Sequence, residues 1–202
     1  MCAKSPLTGV WGEAHASGFW GPELKAAGLD GIVLEGKADR PVYLWIKDGK
    51  VEVKNARHLW GKDTFETEDK IRQELGDKSV RVACIGPAGE NLVKFACVTA
   101  DWGRNAGRTG MGAVLGSKNV KAIAVRGSLD LPVHDIKTLT RKSRKAFQEL
   151  RSHPYFEFWQ QQGLMSVVDY LNCAGVLPTR NFQEGVYEDA EHINGYEMEA
   201  RY

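Results

Sequence analysis

The sequence lacks an excess of charge of either sign: 27 lysines and arginines stand against 26 aspartates and glutamates, a net charge of +1. A dedicated nucleic-acid binder carries a clear basic surplus, so no nucleic-acid partner is expected. Long apolar runs are absent too, which argues against a transmembrane helix and against any membrane partner. The opening residues MCAKSPLTG have no apolar core of a signal peptide, so a cytoplasmic location is the default expectation. Cysteine is sparse: Cys2, Cys84, Cys97 and Cys173 form no CxxC or other metal-binding spacing. The five histidines, His15, His58, His134, His153 and His192, form no HxxxH or HExxH pair. Side chains of this chain therefore offer no self-contained metal site, and Cys84 and Cys97, in apolar strand-like runs, read as buried reduced thiols.

What is present is an ordinary soluble composition, 43% hydrophobic and 26% charged over 202 residues, enough for one or two domains with a real core. Pro22 and Gly28 bracket a short helix at GPELKAAG, and GIVLEGKA reads as a strand. In PVYLWIKDGKVEVKNA, Val42, Leu44 and Ile46 alternate with Tyr43 and Trp45. Asp48-Gly49 supplies a turn, and Val51 and Val53 alternate on the return, predicting a β-hairpin. Asp63 and Glu66 are spaced as an N-cap and its capping-box partner for a helix ending at Gly76. SVRVACIG, LVKFACVTA and VKAIAVRG read as strands, with GPAGEN a tight turn between the first two. From Asp135 the pattern is helical, then aromatic, then helical again, with an extended tail that turns helical at its end. The expected fold class is α+β: a β-rich domain of two packed sheets over residues 1–130, then the start of a helical domain over 131–202.

One stretch stands out. Residues 103–118, GRNAGRTGMGAVLGSK, contain five glycines and three basic residues and no acidic one. They fail as a Walker A loop: Gly116-Ser117-Lys118 has the last two residues reversed, and Met111 stands where the first glycine belongs. They fail as a dinucleotide fingerprint, because Gly110 and Gly112 are followed by Gly116, one residue too far. The physics of anion binding survives, since glycines leave backbone N–H groups uncovered and Arg104 and Arg108 offer bidentate donors. A plain glycine-rich turn with surface arginines fits the residues equally well. Likewise SPLTG…SGFWG reads either as a floor of small residues under a flat ligand or as an irregular loop with aromatic anchors.

Taken in order, AKSPLTG, SGFWGPELKAAGLDGIVLEGKA, PVYLWIKDG, IGPAGENLVKFA, GRTGMGAVLGSKNVKAIAV and LPTRNFQEG closely resemble the N-terminal part of the aldehyde:ferredoxin oxidoreductase family, over essentially the whole chain. The resemblance implies a base domain carrying two pyranopterin (molybdopterin-type) dithiolenes that chelate tungsten, or less often molybdenum, in an anaerobic oxidoreductase. The dithiolene sulfurs hold the metal, which accounts for the missing protein ligands. Magnesium bridges the two pterin phosphates in the family, so the anion suited to the glycine-rich stretch is a pterin phosphate. By position, Arg104 matches the arginine between a pterin and the [4Fe–4S] cluster, and Asn105 a backbone-carbonyl ligand of magnesium. Ala106, Gly107 and Arg108 continue that cofactor-binding segment. His15 falls where some members use asparagine as a magnesium ligand, and imidazole is a poorer partner for that hard ion. Ser17 and Gly18 belong to the pterin-contacting floor.

The resemblance further implies a small aldehyde as substrate and ferredoxin as electron acceptor. No catalytic residue is expected within this segment. The family's CxxCxxxC cluster motif follows a segment like EARY, where this chain ends at Arg201-Tyr202, and strands expected before AKSPLTG are absent. The chain is thus expected to be an internal stretch whose partner is the remainder of the same polypeptide, with homodimerisation through Phe19-Trp20 and Tyr155–Trp159 as a further expectation. A benzoyl-CoA reductase catalytic subunit and a non-catalytic pterin-binding module are the alternatives.

Overall fold

Residues 1–202, described by a computed structural model, divide into two units, Met1–Pro132 and Val133–Tyr202. The first unit opens with a two-stranded antiparallel ribbon, β1 (Cys2–Lys4) and β2 (Trp11–Glu13), followed by α1 (Trp20–Ala26). Then come β3 (Val42–Lys47), β4 (Lys50–Asn55), α2 (Thr64–Leu75), β5 (Arg81–Cys84), α3 (Pro87–Glu90), β6 (Val98–Ala100), β7 (Arg104–Ala106), α4 (Met111–Ser117) and β8 (Val120–Arg126). Six strands form one sheet in the order β4-β3-β8-β5-β6-β7, with β3 and β8 parallel and every other neighbour pair antiparallel. The α+β class and the two sheets are as the sequence predicts.

The hairpin forms as its alternation requires. Asp48 and Gly49 adopt φ of 45° and 78°, the paired left-handed positions of a tight two-residue turn. Val42, Leu44 and Ile46 pack in one core with Leu24, Met111, Leu115 and Ile123, while Tyr43 enters the other core with Leu59, Ile71 and Val82. Because both sheet faces are covered, β8 reads as a nearly continuous apolar run rather than an alternating one. Its register with β3 skips Lys121, a bulge that frees this side chain to reach Glu90. Helix α2 is capped as spaced: Asp63 Oδ1 accepts from the Glu66 amide at 2.8 Å, and Gly76 ends the helix with φ 68°.

Three expectations fail. GIVLEGKA forms no strand: no ladder pairs it, and Val33 is exposed. GPAGEN is the helix α3 rather than a turn, because Pro87 fits a first helical position and Asn91 Nδ2 bonds back to the Pro87 carbonyl at 2.8 Å. LVKFACVTA is a strand only over Val98–Ala100, since the preceding residues fold back as turns, with Ala96 N–H on the Val93 carbonyl. Cys84 is buried as expected, and that burial pushes its thiol up to about 12, whereas Cys97 is only half-buried.

The second unit is helical: α5 (Ile136–Arg151), α6 (Phe156–Gln162), α7 (Val168–Cys173) and α8 (Gly195–Arg201). Asp135 caps α5 through the Thr138 amide at 3.0 Å. Asn172 clamps the extended tail by accepting from the Tyr187 amide at 2.7 Å and donating to its carbonyl at 3.0 Å. Asn194 caps α8 and donates to the Asp169 carboxylate. No helix is long and apolar enough to cross a membrane.

Candidate functional site

The glycine-rich stretch splits into two structures with different reasons for their glycines. Its second half is α4, packed on α3 so closely that backbones touch. A Cβ on Gly112 would lie 2.4 Å from the Cys97 carbonyl oxygen, and one on Gly116 would lie 2.0 Å from that of Gly89. These glycines are packing glycines. The first half is β7, a three-residue edge strand bracketed by two left-handed turns. Asp101, Trp102 and Gly103 have φ of 45°, 62° and 132°, and Arg108, Thr109 and Gly110 have 60°, 53° and 80°. Consecutive non-glycine residues in this region cost free energy, and such strain gathers at functional sites.

Between the turns, Arg104 projects from the sheet edge and donates to Ser17 Oγ at 3.3 Å. Two segments far apart in sequence therefore meet, which brings Ser17 and Gly18 beside Arg104. What joins them is Asp101, which the sequence reading missed. Its buried carboxylate accepts the Phe19 amide at 2.5 Å and the Trp20 amide at 3.1 Å, while Arg81 Nη1 approaches the other oxygen at 3.4 Å. Gly18, at φ 111°, has no room for a side chain, because a Cβ would sit 2.5 Å from Asp101 Oδ2 and 3.2 Å from Arg104 Cγ. Nothing local distinguishes Asp101 from a turn aspartate; only the contact across more than eighty residues assigns it.

Beneath this junction lies a cleft of about 280 Å³ whose wall includes His15, Ser17, Trp20, Ala83, Ala100 and Ala106. Small side chains on its floor and polar groups at its rim suit a flat heterocycle with a polar tail. Ala106 is buried in that floor; Arg108 is exposed on the second turn, next to Gly107, where a Cβ would meet nothing within 4 Å. Asn105 spends its side chain within the hairpin: Oδ1 accepts from Thr99 Oγ1 at 2.6 Å and Nδ2 donates to the Gly103 carbonyl at 3.2 Å. Any metal contact from Asn105 thus falls to its main chain. His15 is largely exposed, with Nε2 2.8 Å from Glu13 Oε1. Glu13, also unanticipated, thus sets a carboxylate oxygen beside that imidazole. No cluster of three or more histidine, cysteine or acidic residues could hold a metal.

The family profile described as aldehyde ferredoxin oxidoreductase, N-terminal domain, matches residues 1–127, and that described as domains 2 & 3 matches residues 141–202. The tungsten-containing aldehyde ferredoxin oxidoreductase of Pyrococcus furiosus is 48% identical over 203 residues, covering 100% of this chain and 34% of that protein. The Thermococcus kodakarensis protein of the same description is 47% identical, again over 100% of this chain and 34% of that protein. An aliphatic sulfonate oxidoreductase, WOR-like subunit, of Pyrococcus furiosus is 36% identical over 100% of this chain and 34% of its own length. Among solved structures, the active site complex BamBC of benzoyl coenzyme A reductase with 1,5 dienoyl-CoA aligns with TM-score 0.72 and 39% identity, over 74% of this chain and 23% of that one. The chain spans about a third of the length of these curated relatives. With both its units matched in order, the chain belongs to the aldehyde ferredoxin oxidoreductase family.

Proposed function

We propose that this chain supplies the pterin-holding part of a tungsten-dependent, or less often molybdenum-dependent, oxidoreductase that converts an aldehyde to a carboxylate. The observation that carries this reading is the junction of Ser17, Gly18 and Arg104 above a small-residue cleft, held by Asp101. When bound, the metal bis-pyranopterin supplies the two-electron chemistry: aldehyde and water give carboxylate, three protons and two electrons, accepted singly by two ferredoxins. The chain's own residues bind and orient. Arg104, unpaired with any carboxylate, offers a charged donor to a phosphate or to a pterin edge. Gly107 and Arg108 present backbone and guanidinium on the adjoining turn, and Ala106 with Ser17 and Gly18 forms the floor. The Asn105 main-chain carbonyl and the Glu13–His15 pair would hold a phosphate-bridging magnesium. A [4Fe–4S] cluster belongs to the same reading, with its cysteine ligands outside these residues, so the remainder of the polypeptide is a required partner. The four unpaired cysteines agree with a reducing, cytoplasmic setting.

The test is production under anaerobic conditions with tungstate, followed by metal and pterin analysis. Tungsten and pterin should co-purify in fixed ratio with the full-length protein. Arg104→Ala should lower pterin content or aldehyde-dependent viologen reduction by about 10²-fold, without changing the melting temperature. Protein that holds neither tungsten nor pterin would sink the reading. The match to the benzoyl coenzyme A reductase complex favours a second reading, a reductase catalytic subunit. Turnover of an aromatic acyl-CoA, with none of an aldehyde, would select it.

A further inference from the structure

We propose that the cationic face of α5 is the docking surface for an acidic, thiolate-ligated iron–sulfur electron carrier. This rests on the oxidoreductase reading above. The sixteen residues of α5 include Lys137, Arg141, Lys142, Arg144, Lys145 and Arg151 against a single acid, Glu149, although the whole chain nets only +1. With six cations against one acid, α5 nets +5, so the rest of the chain nets −4.

Its arrangement on that helix is ordered. At 100° per residue, Lys137, Arg141, Arg144 and Arg151 fall within one narrow arc, with Lys145 at its margin. Ile136, Leu139, Phe147 and Leu150 share the arc beside it, and the Arg151 guanidinium lies 5.9 Å from the centre of the Phe147 ring. Every one of these residues is exposed within its unit, and α5 buries no side chain. Only Lys145 has a carboxylate partner, Glu149 at 3.6 Å. The apolar arc is the face a helix buries against other protein. The cationic arc is the face it keeps in water, because burying several uncompensated charges is strongly unfavourable.

The charge selects the partner. A [4Fe–4S] cluster held by four thiolates is anionic in both working oxidation states. Transient redox complexes use small interfaces, so they depend on charge complementarity for encounter and orientation. A stripe of arginines and lysines about 20 Å long is suited to such an encounter.

The experiment has two arms. In the first, the chain is titrated with oxidised [4Fe–4S] ferredoxin at about 20 mM and about 500 mM salt. Binding should appear at low salt and vanish at high salt. The variant Lys137→Glu/Arg141→Glu/Arg144→Glu should weaken it at least tenfold, and the glutamine version, which keeps helix propensity, should weaken it less. Circular dichroism confirms that each variant folds. Unchanged affinity in both variants would overturn the proposal, as would binding to anionic phospholipid vesicles or random duplex DNA with none to ferredoxin. In the second arm, the holoenzyme carrying the same changes should keep aldehyde-dependent viologen reduction while its KM for ferredoxin rises about tenfold. Loss of viologen activity in the unmodified holoenzyme speaks against the oxidoreductase reading alone, because the first arm still decides the docking surface.

Discussion

Lys121 is fully buried, and its ammonium reaches Glu90 Oε1 at 2.5 Å and the Lys62 carbonyl at 2.8 Å. Glu90 in turn accepts the Gly61 amide at 2.8 Å, so the pair ties β8, α3 and the loop before α2 into one hub. Removing one partner leaves the other charge buried without a counterpart. Lys121→Met or Glu90→Gln should therefore lower unfolding free energy by about 3–5 kcal/mol, measured by urea denaturation. A paired Lys121→Met/Glu90→Leu replacement should recover much of the loss. At the same scale, Arg104 and Ser17 were legible as candidates because their chemistry is local. Asp101 was not, since its role exists only through amides 81 and 82 residues away.

At the scale of elements, glycine serves two purposes that the sequence string cannot separate. Gly116 lets α4 touch α3, whereas Gly107 faces open space on the turn after β7. Gly116→Ala should cost about 1–3 kcal/mol or more by overpacking, while Gly107→Ala should stay within about 0.5 kcal/mol. Chemical denaturation of both variants checks this. A marked loss for Gly107→Ala, with none for Gly116→Ala, would reverse the assignment. The elements read correctly in advance, the hairpin, α2 and α5, carry their own signals in alternation or capping. GIVLEGKA and LVKFACVTA were misread because apolar content alone cannot say whether a segment finds a strand to pair with.

For the whole molecule, carboxylates set the response to acid. Asp48 is held below the usual carboxylate range by the Ser128 backbone amide and then its hydroxyl, and Asp77 by the Ser79 amide and then by Arg126. Groups with a depressed native pKa stabilise fully above about pH 4 and lose that contribution as pH falls through their native values. Glu68 works oppositely: burial raises it despite the Trp102 amide and Arg72, so its contribution is lost as pH rises past about 4.3. Melting temperature should therefore drop steeply below about pH 4, and Asp48→Asn/Asp77→Asn should flatten that acid limb. An unchanged acid limb in the double variant would show that these two carboxylates are not what acid protonates to unfold the protein.

Composition and local pattern by themselves determined the α+β class, the capped helix α2 and, through six ordered segments, the family. Each of these depends on a residue and its near neighbours, where periodicity, capping and motif spacing are written directly. The tertiary structure alone decided which glycines serve packing, that Lys121 leaves the ladder to meet Glu90, and that Asp101 clasps the 17–20 loop to the strand bearing Arg104. Those outcomes depend on which distant backbone groups arrive within about 3 Å of one another, a consequence of sheet order that no local stretch of sequence encodes.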